Sequence, residues 1–255
     1  MPEFPTNMAK PRHLSKAPIT EAVIDFRCSL PADFDLERLK LLSKEDGYPE
    51  CKAMRMFEFE MGQEGDKAPE SRHFDQVLIG WRYLSSDGLQ IAQLRKDGFT
   101  FSRLAPYTDW DAIFAEASRI YRLYHAAAFP EEVNRVAVRY INRLPLPENE
   151  VGDFSLFLTF PPAFASERPV LLSGFLNQVQ VTDPVSGISA TVTQTIQPGG
   201  GQPGVLPLIL DLDVYERGTL PADPETILGR FGALRETKNR YFFGSITEKT
   251  ASLFE

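Results

Sequence analysis

The sequence predicts an α+β fold, with a largely antiparallel sheet in two similar strand-meander-helix halves, each packed by one long amphipathic helix. Three observations lead to this prediction. Segments that alternate apolar and polar residues recur in both halves of the 255-residue chain. Turn sequences such as Asp97-Gly98 separate neighbouring segments, which is typical of antiparallel hairpins. A stretch with apolar residues at i, i+3 and i+4 follows each group of strands.

The chain divides into three regions. Residues 1–16 contain Pro2, Pro5 and Pro11 with little periodicity, which predicts an extended N-terminal arm. An N-terminal α+β half then covers residues 17–130, and a C-terminal α+β half covers residues 131–255, the two packed together as one unit. Internal duplication and a plain succession of α+β elements both explain this pattern.

The N-terminal half is expected to hold five strands and two helices. A short helix should start at Asp33, and a polar loop at 63–71 has nothing to bury. The second helix should begin at Thr108, which we take as its N-cap, with Asp111 in the acidic position of a capping box. The strands are predicted at 19–28, 54–61, 76–84, 89–95 and 99–104.

The C-terminal half should repeat the order of strand, meander and helix. Asp223 as the cap and Pro224 at the first helical position signal the start of its helix. A glycine-rich segment at 197–204 is expected at a hairpin tip. The strands are predicted at 133–144, on either side of a turn at 183–187, and at 205–215.

The overall charge narrows the possible partners. The 27 Lys and Arg residues against 35 Asp and Glu give a net charge of −8, which disfavours nucleic acid and anionic membranes. The N-terminus has no basic segment followed by an apolar one, and no apolar run approaches the ~18 residues that span a bilayer. We therefore expect a cytoplasmic protein without a membrane association.

Several common chemistries lack their motifs. There is no Gly-x-Ser-x-Gly elbow, no phosphate-binding Gly-Lys-Ser/Thr loop and no dinucleotide glycine fingerprint. Cys28 and Cys51 do not form a Cys-x-x-Cys pair, and the three histidines are far apart in sequence, which disfavours zinc. No cofactor is predicted.

Residues 135–143 are the most informative stretch. A strand with alternating faces places Arg135, Arg139 and Arg143 on one side of a sheet, where they need anions. Asn142, in the same strand, has an amide that can bind either backbone or a ligand. The anions could be carboxylates of this chain, those of a partner, or a phosphorylated ligand.

Two pairs of carboxylates also share strand faces, namely Glu21 with Asp25 and Asp211 with Asp213. If these strands neighbour the arginine strand, one interpretation is an ordinary charge-paired or solvated sheet face. The other is a polar cleft, in which arginines clamp a phosphate or carboxylate while Asp211 and Asp213 hold a divalent metal.

Four motifs carry a resemblance. They are Lys-Ala-Pro-Ile-Thr-Glu-Ala at 16–22, Pro-Tyr-Thr-Asp-Trp at 106–110, Arg-Tyr-Ile-Asn-Arg at 139–143 and Phe-Phe-Gly-Ser-Ile-Thr at 242–247. Through them the chain resembles an uncharacterised, sporadically distributed bacterial protein family of about this length. The patchy occurrence of that family implies a mobile-element or defence-associated setting, but the resemblance implies no activity. Within the first motif, Glu21 needs a partner, for which Arg139 is expected.

These observations favour a non-catalytic binding or assembly protein, in the setting of a bacterial defence or conflict system. The expected partner is another protein, a second copy of the chain, or a small anionic ligand. The alternative is an enzyme or sensor for a phosphorylated metabolite or nucleotide. In that case Arg135, Arg139 and Arg143 would bind anionic oxygens, and Mg²⁺ would be held by acidic residues from the set Glu21, Asp25, Asp211 and Asp213.

Overall fold

The computed structural model describes residues 7–59, 74–150, 152–162, 172, 174–196 and 203–255. Within these ranges, nine strands form a single antiparallel sheet, so the predicted α+β class with a large antiparallel sheet is confirmed. The strands are β1 (Ile19–Ser29), β2 (Glu50–Phe59), β3 (Phe74–Leu84), β4 (Gln90–Arg95), β5 (Gly98–Leu104), β6 (Glu132–Pro147), β7 (Leu176–Thr182), β8 (Ser189–Ile196) and β9 (Val205–Leu220). Their order across the sheet is β2-β3-β4-β5-β1-β6-β9-β8-β7.

Two strands run further than the sequence predicted. Strand β6 continues past Leu144 because Leu144 and Leu146 both lie in the core and extend its apolar face. Strand β9 continues past Tyr215 to Leu220, which lies opposite Val133 of β6. The expected loop at 63–71 lies outside the described residues, as does most of the glycine-rich segment at 197–204.

Four α-helices complete the described fold, and the prediction of one long amphipathic helix on each half is not confirmed. In the C-terminal half the expected helix divides at Arg230, whose N–H bonds the carbonyl of Ile227, three residues back, in a tightened turn. None of the helices in the described ranges combines the length and the apolar character that a bilayer crossing requires. The helices are α1 (Trp110–Ala128), α2 (Pro224–Gly229), α3 (Phe231–Ser245) and α4 (Glu248–Ser252).

The N-terminal ends of the helices show which of the predicted cap residues are correct. Asp223 caps α2 as predicted, because its side chain accepts a hydrogen bond from the N–H of Thr226 and Pro224 follows it. The cap predicted at Thr108 is wrong. Asp109 caps α1 instead, because the chain leaves its extended conformation at Asp109 (φ −149°, ψ 165°), whose carboxylate accepts from the N–H of Ala112 at 2.8 Å. The short helix expected from Asp33 is a 3₁₀ helix (Leu36–Leu39) that begins after Asp35.

The helices cover one face of the sheet only. Phe26 of β1 stacks on Tyr121 of α1, with ring centroids 3.9 Å apart, and both rings are buried. A second apolar cluster lies under α3 and α4, where Leu208 and Leu210 of β9 pack with Phe242. Because neighbouring residues of a strand point to opposite faces, the polar residues between these core positions face away from the helices.

Residues 7–16 lie against the C-terminal end of the chain. The N–H of Ala9 bonds the carbonyl of Ile246 at 3.0 Å, and the N–H of Lys16 bonds that of Phe254 at 2.9 Å. Arg12 forms ion pairs of 2.7 Å with Glu248 and with Glu255. The described part of the predicted arm is therefore tied down by both backbone and side-chain bonds.

Candidate functional site

The register of the three central strands gathers the predicted charges on the open face of the sheet. Strand β6 lies between β1 and β9. Ala137 is opposite Asp25 on one side, and Arg139 is opposite Asp213 on the other. The alternation of each strand then sends Arg135, Arg139, Asp25 and Asp213 to the face that the helices leave uncovered.

Arg135 connects the two strands that flank its own. Its guanidinium donates to Asp25 of β1 at 2.9 Å and to both carboxylate oxygens of Asp213 of β9 at 2.7 Å. The same group lies 4.8 Å from the ring centroid of Tyr215. A bridge of this kind holds the centre of the sheet together from its polar side.

Arg139 pairs with Asp211, not with Glu21. Its Nε donates to the two oxygens of Asp211 at 2.9 and 3.1 Å. The hydrogen bonds to Asp211 raise the pKa of Arg139 above its ordinary value, and Glu21 contributes only a weaker attraction. The expected ion pair between Glu21 and Arg139 is therefore wrong. Glu21 and Asp211 both lie opposite Ile141, on the two sides of β6, and the guanidinium turns to Asp211.

Asp25 is the centre of a buried network. It is 8% exposed and accepts hydrogen bonds from Thr100 at 2.6 Å, from Arg27 at 3.1 Å and from Arg135. Arg27 and Arg95 both bond Asp97 as well. Burial alone would raise the pKa of Asp97, but its two arginines lower it below the ordinary value.

These side chains surround a concavity of about 530 Å³, which we call the arginine cup. Its lining contains more cations than carboxylates, although the chain as a whole is acidic. The lining residues are Val23, Asp25, Arg27, Arg95, Thr100, Arg135, Ala137, Arg139, Asp213 and Arg217. Asp97 and Asp211 bond arginines of the lining, so five arginines meet four aspartates.

Two arginines of the arginine cup have N–H groups without a hydrogen-bonded carboxylate among the described residues. Arg217 stacks on Tyr215 at 4.7 Å from the ring centroid, and no carboxylate of the described chain lies within 4.0 Å of it. The Nη2 of Arg95 is buried without a hydrogen-bond partner in the described structure and lies 3.6 Å from Asp25. Sequence reasoning missed Arg27, Arg95 and Arg217. The available signal was that each of these arginines alternates with core residues along its own strand, which places it on the open face of the sheet.

Three of the predicted site residues lie elsewhere. Asn142 is buried on the helix-covered face, where its amide donates to the carbonyls of Tyr140 at 3.2 Å and Leu210 at 3.0 Å. Arg143 is opposite Ile209, further along the strand, and Glu21 is opposite Ile141. Neither lines the arginine cup.

The predicted metal pair is bonded to arginines. Asp211 accepts from Arg139, and Asp213 accepts from Arg135. Within the described ranges, no three His, Cys, Asp or Glu side chains are grouped as metal ligands usually are. A cation at Asp211 and Asp213 would have to replace the arginines that bind them.

A second cavity, of about 500 Å³, lies on the helix side between the N-terminal arm and α3, and we call it the arm cleft. All four motifs of the resemblance contribute lining residues, among them Pro18, Tyr107, Tyr140 and Phe242. Sequence reasoning missed its cations on α3, because that segment was interpreted only through its apolar stripe.

No protein-family model and no curated protein matches the chain.

Proposed function

We propose that the protein is a non-catalytic binding protein that takes up a small, multiply charged anion, such as a phosphorylated metabolite, in the arginine cup. The observation that supports this is the excess of arginine in the cup of an acidic chain, together with Arg217 and its unneutralised charge. The defence or conflict setting stays a prediction of the resemblance.

The chemistry of arginine fits this role. A guanidinium presents planar, paired donors that match phosphate and carboxylate oxygens, and it stays charged at any physiological pH. The buried Nη2 of Arg95 is a donor that a ligand oxygen could satisfy. The aspartates limit affinity, because the ligand must compete with them for Arg135 and Arg139.

The test uses pyrophosphate as the probe and follows the melting temperature and the heat of binding. We expect pyrophosphate to stabilise the wild-type protein and the control Arg122→Gln, whose guanidinium pairs with Glu225 outside the cup. Arg217→Gln should lose at least about tenfold in affinity, the equivalent of about 1.4 kcal/mol. An unchanged affinity in Arg217→Gln, or no binding to the wild type, would overturn the proposal.

The second candidate function is an enzyme or sensor that uses Mg²⁺ with the same phosphorylated ligand. Its support is the position of Asp213 in the lining of the cup, with Asp211 bonded to Arg139 beside it. Adding Mg²⁺ would then tighten pyrophosphate binding and allow its hydrolysis, and Asp213→Asn would remove both effects. Binding that is indifferent to Mg²⁺, without phosphate release, supports the non-catalytic function instead.

We also propose that the chain consists of two similar halves. The first strand of each half, β1 and β6, pair at the centre of the sheet. The other strands of each half continue outward, as β5-β4-β3-β2 on one side and β9-β8-β7 on the other. A crystal structure tests this, because similar halves should superpose with α1 and α3 in equivalent places.

A further inference from the structure

The arm cleft is lined by cations and aromatic rings. Its walls carry Lys238 and Arg235 of α3 and Arg12 and His13 of the arm, and none of its lining residues is an aspartate or a glutamate. In a chain of net charge −8, such a lining favours an anion over a cation or a neutral polar molecule.

The cations of the cleft differ in how far they are neutralised. Arg12 is paired with two glutamates at 2.7 Å. Among the carboxylates of the described residues, Arg235 approaches that of Asp111, at 4.0 Å, and Asp111 is almost fully exposed. No carboxylate of the described residues lies within 4.0 Å of Lys238, whose Nζ is 3.9 Å from the ring centroid of Tyr140. Lys238 is thus the least compensated charge in the cleft.

The environment of Lys238 disfavours its charge. Burial, and secondarily the neighbouring Arg235, lower the pKa of Lys238 to about 7. The tyrosines of the lining do not supply a negative charge, since burial raises the pKa of Tyr107 and of Tyr140 and keeps both phenols neutral. An anion in the cleft would pair with the ammonium form of Lys238 and so offset the cost of burying its charge.

Apolar surface completes the cleft. Tyr107 and Tyr140 meet edge to face with centroids 5.8 Å apart, and the buried rings of Phe242 and Phe243 lie on the α3 side. Ile19 and Leu14 add aliphatic surface. An occupant therefore gains from a planar apolar body as well as from an anionic group.

We propose that the arm cleft is a second binding site, separate from the arginine cup, for a small aromatic carboxylate. Its carboxylate pairs with Lys238 and Arg235, and its ring lies against Tyr107 and Phe242. Because the arm forms one wall, occupancy also stabilises the docking of residues 11–15 onto the helix side. The site does not depend on the proposed function of the arginine cup.

The experiment measures binding of benzoate, phenylacetate and cinnamate by calorimetry, at up to about 10 mM so that millimolar affinities are detected. Benzamide serves as the uncharged control. The variants are Lys238→Met and the matched control Lys40→Met, since Lys40 also covers a ring, at 4.1 Å from Trp81, but has Glu37 as its partner. Arg217→Gln separates this site from the arginine cup.

At least one of the carboxylates should bind the wild type, Lys40→Met and Arg217→Gln alike, and bind Lys238→Met at least about tenfold more weakly. Benzamide should bind poorly. Binding above pH 7 should take up a proton and weaken by about tenfold per pH unit, because the ligand selects the charged lysine. His13→Asn should keep this proton uptake, which excludes the exposed histidine as its source.

Four results would overturn the proposal. The first three are no binding of any of the three carboxylates, equal binding by Lys238→Met, and equal binding of benzamide. Loss of carboxylate binding in Arg217→Gln would also overturn it, because the ligand would then occupy the arginine cup.

Discussion

Arg135 of β6 donates a 2.9 Å hydrogen bond to Asp25 of β1, on the face of the sheet that the helices leave open. The pair spans the junction between the N-terminal and C-terminal halves of the chain. Both residues are largely buried, with 16% and 11% of their side-chain surface exposed, although the face is otherwise polar. The junction is therefore held by apolar packing on one side and by ion pairs on the other.

Removal of the Asp25 carboxylate should destabilise the fold strongly. Asp25→Ala leaves the Nη1 group of Arg135 and the hydroxyl of Thr100 without their acceptor in a desolvated network, so we expect a loss of about 3 kcal/mol in the free energy of unfolding. Urea unfolding followed by circular dichroism measures it. The control is Asp111→Ala, since that carboxylate is 91% exposed and should cost less than about 1 kcal/mol. Equal losses in the two variants would contradict the network.

Gly98 should tolerate no side chain. Its φ of 142° is unfavourable for other residues, and a Cβ there would lie 2.0 Å from the carbonyl oxygen of Phe26. Gly218 has a similar φ of 147°, but its Cβ would meet open space. Gly98→Ala should therefore cost about 3 kcal/mol or more, and Gly218→Ala only about 1–2 kcal/mol. Thermal unfolding of both variants tests the difference, which disappears if β1 and β5 are not so closely paired.

The sequence was sufficient for the elements whose signals are local. Asp97-Gly98 predicted a hairpin because an Asp-Gly pair between alternating segments is typical of a tight turn. Asp223-Pro224 predicted a helix start. Adjacent candidates for one role were harder to separate. Thr108 and Asp109 are both good caps, and the backbone at Asp109 decided between them.

The candidate site was predictable only in part, because it depends on pairing between distant strands. Alternation correctly grouped Arg135 with Arg139, but it could not say that Asp211 would lie nearer to Arg139 than Glu21 does. The register does not separate the two carboxylates either, because both lie opposite Ile141; the direction that the Arg139 side chain takes decides between them. The arm cleft was beyond prediction, since Lys238 meets Tyr140 only after α3 packs on the sheet.

The two cysteines should differ sharply in reactivity. Cys28 is 6% exposed, contacts the hydroxyl of Tyr124 at 3.2 Å, and burial raises the pKa of its thiol. Cys51 is exposed on the edge strand β2. Ellman's reagent should thus modify one thiol quickly in the native protein and both in urea. Cys51→Ser should abolish the fast phase, and a fast phase that survives in this variant would mean that Cys28 is accessible.

Lys238 should make stability depend on pH. Because its folded-state pKa is about 7 and its ordinary value is 10.5, the unfolded chain binds more protons between these two pH values. Stability should therefore rise as the pH increases through this window, and the penalty should be fully present below pH 7. Replacement by Met removes the titrating amine. The unfolding free energy of the wild type minus that of Lys238→Met should therefore be lowest near pH 6 and should rise toward pH 10. We expect the difference in unfolding free energy to change by roughly 1–3 kcal/mol across the window, measured by urea titrations at several pH values.

The other titrating groups are common to the wild type and Lys238→Met, so their effects cancel in this difference. The control Lys40→Met should show the same pH dependence as the wild type, because the ammonium that it removes pairs with an exposed glutamate. A parallel pH dependence of wild type and Lys238→Met would mean that the Lys238 amine reaches solvent and has an ordinary pKa.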